Sequence, residues 1–287
     1  MHPGAPLQPE GDQSPLRELL AVAGPAVVTM ISPAIMQFAD AVMVARIGPT
    51  AVAAQGNGAM ATFIVMAVIA GLVSVINTFA AQNFGAKRFD RCGRYGWTGI
   101  WLSLWCSILV LPLVFVVDDF FRLIGHGEGS EAARDLLRME TEYAGILLAF
   151  AVFPSSVARG LGQFFYGIHR PNIVMVSTVV ANLVNILASY LLIFGVAGLP
   201  EMGVAGAAVG TVIGHVVEML IPMALFLSRN FDAKYATRHT WRPAWAPLRE
   251  TLKLGWPAAF HFGNEVACWG LFMSWVVPAA VRAEDAP

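Results

Sequence analysis

The sequence predicts an all-α integral membrane protein of about seven transmembrane helices. Hydrophobic residues make up 57% of the chain and charged residues only 13%, roughly half the charged share of a soluble domain. The mean hydropathy is +0.63. The apolar residues also fall in blocks of about 20 or more, the length a helix needs to cross a bilayer. Strands are excluded for such blocks, because an open sheet edge in lipid leaves backbone groups without partners.

The blocks follow in order. Residues 1–15, rich in Pro, Gly and polar groups, predict a disordered tail and lack the basic start and apolar run of a signal peptide. The first span, 17–46, carries Pro25 and Pro33, each of which removes a backbone hydrogen bond and can kink the helix. The second covers 50–81, the third 96–117, the fourth 136–158 and the fifth 171–196. The sixth, 204–227, carries Gly206, Gly210 and Gly214 at four-residue spacing, a small-residue stripe that lets two backbones approach. It serves static packing or, with the prolines, shape change in a transport cycle. The seventh covers 248–277, and 278–287 forms a tail.

Basic residues set the expected orientation. Lys87, Arg88, Arg91 and Arg94 lie between spans two and three, Arg159 and Arg170 near the connection of four and five, and Arg229, Lys234, Arg238 and Arg242 between six and seven. The alternate connections hold Asp118, Asp119, Glu128, Glu131 and Glu201. The positive-inside rule places the first set and the N-terminus in the cytoplasm. The net charge of −1 gives no reason to expect nucleic acid. Cys92, Cys106 and Cys268 lie too far apart for a CxxC or metal pattern.

The start of the seventh span repeats the start of the first. Leu16, Arg17, Glu18, Leu20, Pro25 and Ala26 recur as Leu248, Arg249, Glu250, Leu252, Pro257 and Ala258 at one constant offset. Both spans run in the same expected direction, which suggests a parallel repeat of six spans. The chain then divides into a six-helix unit at 16–228, a cytoplasmic loop at 229–247 and the first helix of a second unit at 248–277.

Ionisable groups inside the spans need a reason to be there, since a charge at mid-bilayer costs about 2.5–3.5 kcal/mol on insertion scales. Asp40 and Glu265 are such groups. In a dehydrated cavity each can take up a proton, or stay charged by holding Na⁺ or a cationic solute. Otherwise each hydrogen-bonds to a neighbouring helix or lies in the interface. His215 and Glu218 share a helical face, as a polar pair near the interface or a functional one. His261 lies one turn before Glu265, where a proton relay, a cap or a pore lining are all open. Asn182, Asn185, Ser189 and Thr211 offer hard oxygens suited to Na⁺ or water, or else interhelical hydrogen bonds. No nucleophile–base pair, phosphate loop, HExxH motif or metal-ligand spacing is present, so neither an enzyme nor a bound cofactor is expected.

Five segments in one order resemble the multidrug and toxic compound extrusion (MATE) family, most like its bacterial NorM-type members. They are FADAVMVARIGPTAVAA, AAQNFGAKR, RGLGQFFYGIHRPNIVMVSTVVANLVNILASYLLIFG, GVAGAAVGT and LKLGWPAAFHFGNE. The resemblance implies two six-helix lobes around a central cavity, here one lobe plus the first helix of the second. It implies export of organic cations or drugs in exchange for H⁺ or Na⁺ across the inner membrane. Asp40 matches the acidic residue of the first-lobe cation site, Asn185 and Thr211 its asparagine and threonine, and Ser189 stands where some members have aspartate. Na⁺ at Asp40, Asn185 and Thr211 follows as one option. Glu265 matches the acidic residue of helix seven, tied to coupling in the second lobe. Family members have twelve helices, so the chain is expected to be truncated and a poor transporter alone. Its ending, PAAVRAEDAP, reads as a natural product, a frameshift or a fragment. A lipid-linked oligosaccharide flippase shares this architecture but calls for a basic cavity. A non-transporting membrane fragment is the third reading, and oligomeric state is left open.

Overall fold

The computed structural model describes residues 15–127 and 129–271. The expected tail at 278–287, nearly all of that at 1–15, Glu128 and the end of the seventh span lie outside them. Helices fill the described residues: α1 (Pro15–Val44), α2 (Pro49–Gly85), α3 (Phe89–Val110), α4 (Val117–Leu123), α5 (Glu131–Ile146), α6 (Val152–Gly167), α7 (Pro171–Ile193), α8 (Gly203–Phe226), α9 (Arg229–Tyr235) and α10 (Trp245–Leu271).

Six stretches among the described residues are long and apolar enough to cross a membrane. They are Val27–Val44, Pro49–Gly85, Phe89–Phe115, Glu131–Gly167, Pro171–Ile193 and Gly203–Phe226. The seventh expected span is a helix, α10, but is not among the six. Arg249, Glu250, Lys253 and Glu265 dilute its described part. Large apolar side chains cover the outside of the bundle; Met30, Leu109 and Phe115 are each about four-fifths exposed. Such a surface suits lipid and would be an aggregation liability in water.

Several elements exceed their sequence-based bounds. α2 has 37 residues, about 55 Å of helix against a hydrocarbon core of about 30 Å. The fourth span is one run from Glu131 to Gly167, with a π turn at Leu147–Ala151 joining α5 to α6. Pro154 follows that turn and has no N–H for the Phe150 carbonyl, which favours the wider geometry there. Pro25 and Pro33 lie inside α1 and Pro222 inside α8. In α1 the Thr29 hydroxyl donates to the Pro25 carbonyl at 2.6 Å.

The most extensive helix pairing is that of α7 with α8, through the glycine stripe. A Cβ at Gly206 would meet the Leu192 backbone at 2.7 Å, and one at Gly214 would meet the Asn185 Cβ at 2.8 Å. This is the packing role expected of the stripe. α1 lies against α7, and α2 runs through the bundle against α3, α5 and α6. The main core, with Ile76, Leu161, Phe164, Phe165 and Phe226 all buried, fills the space between α2, α3, α6 and α8. α10 docks on α2 by backbone contact, since a Cβ at Gly71 would fall 2.5 Å from the Ala259 Cα.

The three basic connections meet at one end of the bundle. The Phe84 ring stands edge-on to His169, and Lys234 lies over the rings of Phe84, Phe89 and Tyr235 at 4.9–5.5 Å. α2 and α6 end there alike, each in a left-handed residue, Lys87 and His169, with matching capping bonds. The Trp97 and Trp101 indoles of α3 donate to the carbonyls of Thr237 and Trp241 and so fasten the segment that leads to α10.

Candidate functional site

A cavity of about 540 Å³ opens between α1, α2, the α5–α6 span, α7 and α8. Asp40, near the end of α1, is 3% exposed and lies on its wall. An apolar run makes the helix, and the carboxyl is left inside because α7 and α8 cover that face. The side chains of Ser189, Thr211 and Asn185 all face the carboxyl group. The Thr211 hydroxyl donates to Asp40 Oδ2 at 3.4 Å and lies 3.0 Å from the Ala207 carbonyl. Asn185 Nδ2 reaches both Thr211 Oγ1 and Ser189 Oγ at 3.5 Å. Asn185 and Ser189 are fully buried.

Two oxygens in this cluster, Asp40 Oδ1 and Asn185 Oδ1, are buried and accept no hydrogen bond. Leaving a buried polar atom unmatched costs about 1–3 kcal/mol, and more for a charged one. Unmatched hard oxygens beside one carboxylate suit a proton on Asp40 or a monovalent cation among the four side chains. Among the described residues no group of three or more His, Cys, Asp or Glu side chains could hold a metal.

Asp40, Asn185, Ser189 and Thr211 are therefore gathered at one point. Asn182, one turn earlier on α7, instead donates to the Ser32 carbonyl at 2.8 Å and to the Ser32 hydroxyl, which ties α7 to α1. His215 and Glu218 also line the cavity, where their side chains bond at 3.1 Å. Glu265 is exposed on α10, as is His261, and neither lines this cavity. α10 follows the opposite flank of α2, so the structure does not bring Glu265 to Asp40.

Sequence reasoning passed over several groups. Tyr143, 3% exposed, lines the cavity between Gln55 and Thr211. Arg159 and Thr178 complete the wall near Glu218. Away from the cavity, Glu140 is wholly buried, 2.7 Å from His126 Nδ1, and accepts from Asn57 Nδ2 at 3.0 Å. The available signal was a Glu and a Tyr three residues apart, one helical face, leading into an apolar run.

The MatE family profile matches residues 25–191, more than half of the chain. Among curated proteins the chain is similar to the probable multidrug resistance protein NorM of Neisseria meningitidis serogroup A. The two are 26% identical over 200 residues, which cover 68% of this chain and 41% of that protein. Similarity to the probable multidrug resistance protein NorM of Burkholderia pseudomallei is 30% over 191 residues, covering 66% and 39%. The chain thus spans about two fifths of the length of these relatives. Among solved structures it superposes on the eukaryotic MATE transporter AtDTX14 with a TM-score of 0.73 at 19% identity, over 90% of this chain and 55% of that one. The inward-facing conformation of a multidrug resistance MATE family transporter gives 0.71 at 23%, over 87% and 56%. The helical membrane fold and the profile match together establish that this chain belongs to the MatE family.

Proposed function

We propose that the chain forms the first-lobe cation site of a secondary antiporter, which exports organic cations or drugs in exchange for H⁺ or Na⁺. The observation that carries this is Asp40: a carboxyl group buried in a membrane helix, on a cavity wall, with one oxygen unmatched. Such a group is costly at membrane depth unless it is paired or neutralised, and it marks a path for ions or substrate. Protonation or Na⁺ binding at Asp40, with Asn185, Ser189 and Thr211 as neutral ligands, biases the lobe between two states. Substrate is released when the cavity reorganises. The names of the NorM relatives, which speak of multidrug resistance, support drugs as cargo.

The proposal includes an inner-membrane location with the basic connections and the N-terminus in the cytoplasm. A flippase reading would favour a basic cavity. Arg159 is the one Lys or Arg among the described lining residues, beside the acidic Asp40 and Glu218. Glu265 keeps its proposed coupling role toward a second lobe.

The test is efflux of a fluorescent organic cation from vesicles under an inward H⁺ or Na⁺ gradient. Loss of efflux in Asp40→Asn, with expression intact, supports the proposal; unchanged efflux refutes it.

A further inference from the structure

We infer that Glu218 and His215 form a second cation subsite, where a lipophilic organic cation and the imidazolium proton of His215 compete for one carboxylate. The inference rests on the reading that this cavity admits organic cations.

The geometry is that of a switchable lock. Thr211, His215 and Glu218 follow one another along α8, with Glu218 about 10 Å beyond Thr211 on the same face. Its two oxygens have different partners. Oε2 pairs with His215 Nδ1 at 3.1 Å, and Oε1 accepts from the Thr178 hydroxyl of α7 at 3.2 Å. Pro222 cannot donate to the Glu218 carbonyl, so the helix is locally loosened there. Both side chains stay open to the cavity, 18% exposed for His215 and 27% for Glu218. Phe63, Met66 and Tyr166 supply apolar and aromatic wall in the same hollow, and an aromatic face adds attraction for a cation.

The groups facing the pair come from three elements. α6 contributes Arg159 and Tyr166, α7 the neutral Thr178, and α1 Asp40 at the far end of the hollow. Arg159 and Thr178 keep the carboxylate supported when His215 lets go. Glu218 also lies nearer than Thr211 to the end of α8 that meets the basic connections.

The exchange balances in charge. Protonated His215 pairs with Glu218 and occupies it. An arriving cation takes over the carboxylate, neutral His215 remains, and one proton leaves. A cation therefore binds the carboxylate at the expense of the His215 pair, and its affinity rises as the proton concentration falls.

The experiment measures tetraphenylphosphonium binding to the full chain in detergent at about pH 5.5 and about pH 8, with proton release read by an indicator dye. Wild type is expected to bind about tenfold more tightly at the higher pH and to release protons. His215→Gln should flatten the pH slope and release fewer protons per cation bound, and Glu218→Gln should weaken binding about tenfold at the higher pH. Asp40→Asn should weaken binding overall yet keep the part of the slope that His215 carries. If His215→Gln fails to fold, His215→Asn gives the same test, and Glu218→Asp stands in for Glu218→Gln with a reduced slope expected. A slope and a proton release that survive unchanged in the His215 variant overturn this inference and leave the Asp40 reading intact. Absence of binding by wild type at either pH overturns both.

Discussion

Gly210 of α8 rests so close to Ser189 of α7 that a Cβ at 210 would stand 2.8 Å from both the Cα and the backbone nitrogen of Ser189. Backbone cannot yield as a flexible side chain can. Gly210→Ala is therefore expected to destabilise the protein by about 1–3 kcal/mol, read as a lower thermal midpoint in detergent. A Cβ at Gly56 of α2, by contrast, would meet no atom within 4 Å. Gly56→Ala should be neutral or stabilising by up to about 1 kcal/mol, from helix propensity.

Asp40→Asn should separate stability from binding. The substitution keeps the size of the side chain and removes a buried charge whose Oδ1 has no partner. Thermal stability is expected to rise by about 1 kcal/mol, while affinity for Na⁺ or an organic cation drops at least about tenfold. Calorimetry and a melting curve on the same sample check both signs.

Glu140 should behave as a structural anchor. Its carboxylate is wholly buried between His126 and Asn57, joining the α4–α5 connection to α2. Removing one partner of such a pair leaves the other uncompensated. His126→Ala is expected to cost about 3 kcal/mol, and Glu140→Ala at least as much. The double variant should cost less than the sum, which a double-mutant cycle on unfolding midpoints would show.

Tyr235 predicts a loss of stability in alkali. It lies in α9, beyond the last apolar span, and burial pushes its phenol above the ordinary range, helped by Cys92 and opposed by Arg170. The folded state then holds the proton more tightly than the unfolded chain. Stability is full below the ordinary tyrosine range, near about pH 10, and falls as pH rises past it. Unfolding midpoints followed upward in pH should decline less steeply in Tyr235→Phe than in wild type.

Much of the fold was legible because lipid constrains it severely. A continuous apolar block must be a helix, and the glycine stripe at 206, 210 and 214 announces a close neighbour. Asp40, Asn185, Ser189 and Thr211 stood out as polar groups in apolar runs, and packing gathers them. What the sequence withheld depends on contacts between distant segments. Nothing local says that Tyr143 reaches the same hollow as Asp40, or that Glu140, in a charged stretch, is buried. The spacing of His215 and Glu218 puts them on one face of α8. That this face borders the cavity depends on how α1, α6 and α7 surround it. Glu265 lies apart from Asp40 for a similar reason, because the docking of α10 on α2 is set by Gly71 and Ala259. The π turn near Pro154 is invisible to a periodicity that assumes one uniform helical repeat.

From α1 to α8 the prolines inside helices are not scattered evenly. Pro25 and Pro33, Pro154 and Pro222 interrupt α1, the α5–α6 span and α8, all of which border the hollow. α2 and α3 have none in their interiors, and α7 carries one only at its first position. Missing rungs in three staves concentrate mechanical compliance beside the cation site, while the spine of the lobe stays stiff. A force on this lobe would change the volume of its chamber before it disturbed the aromatic packing behind.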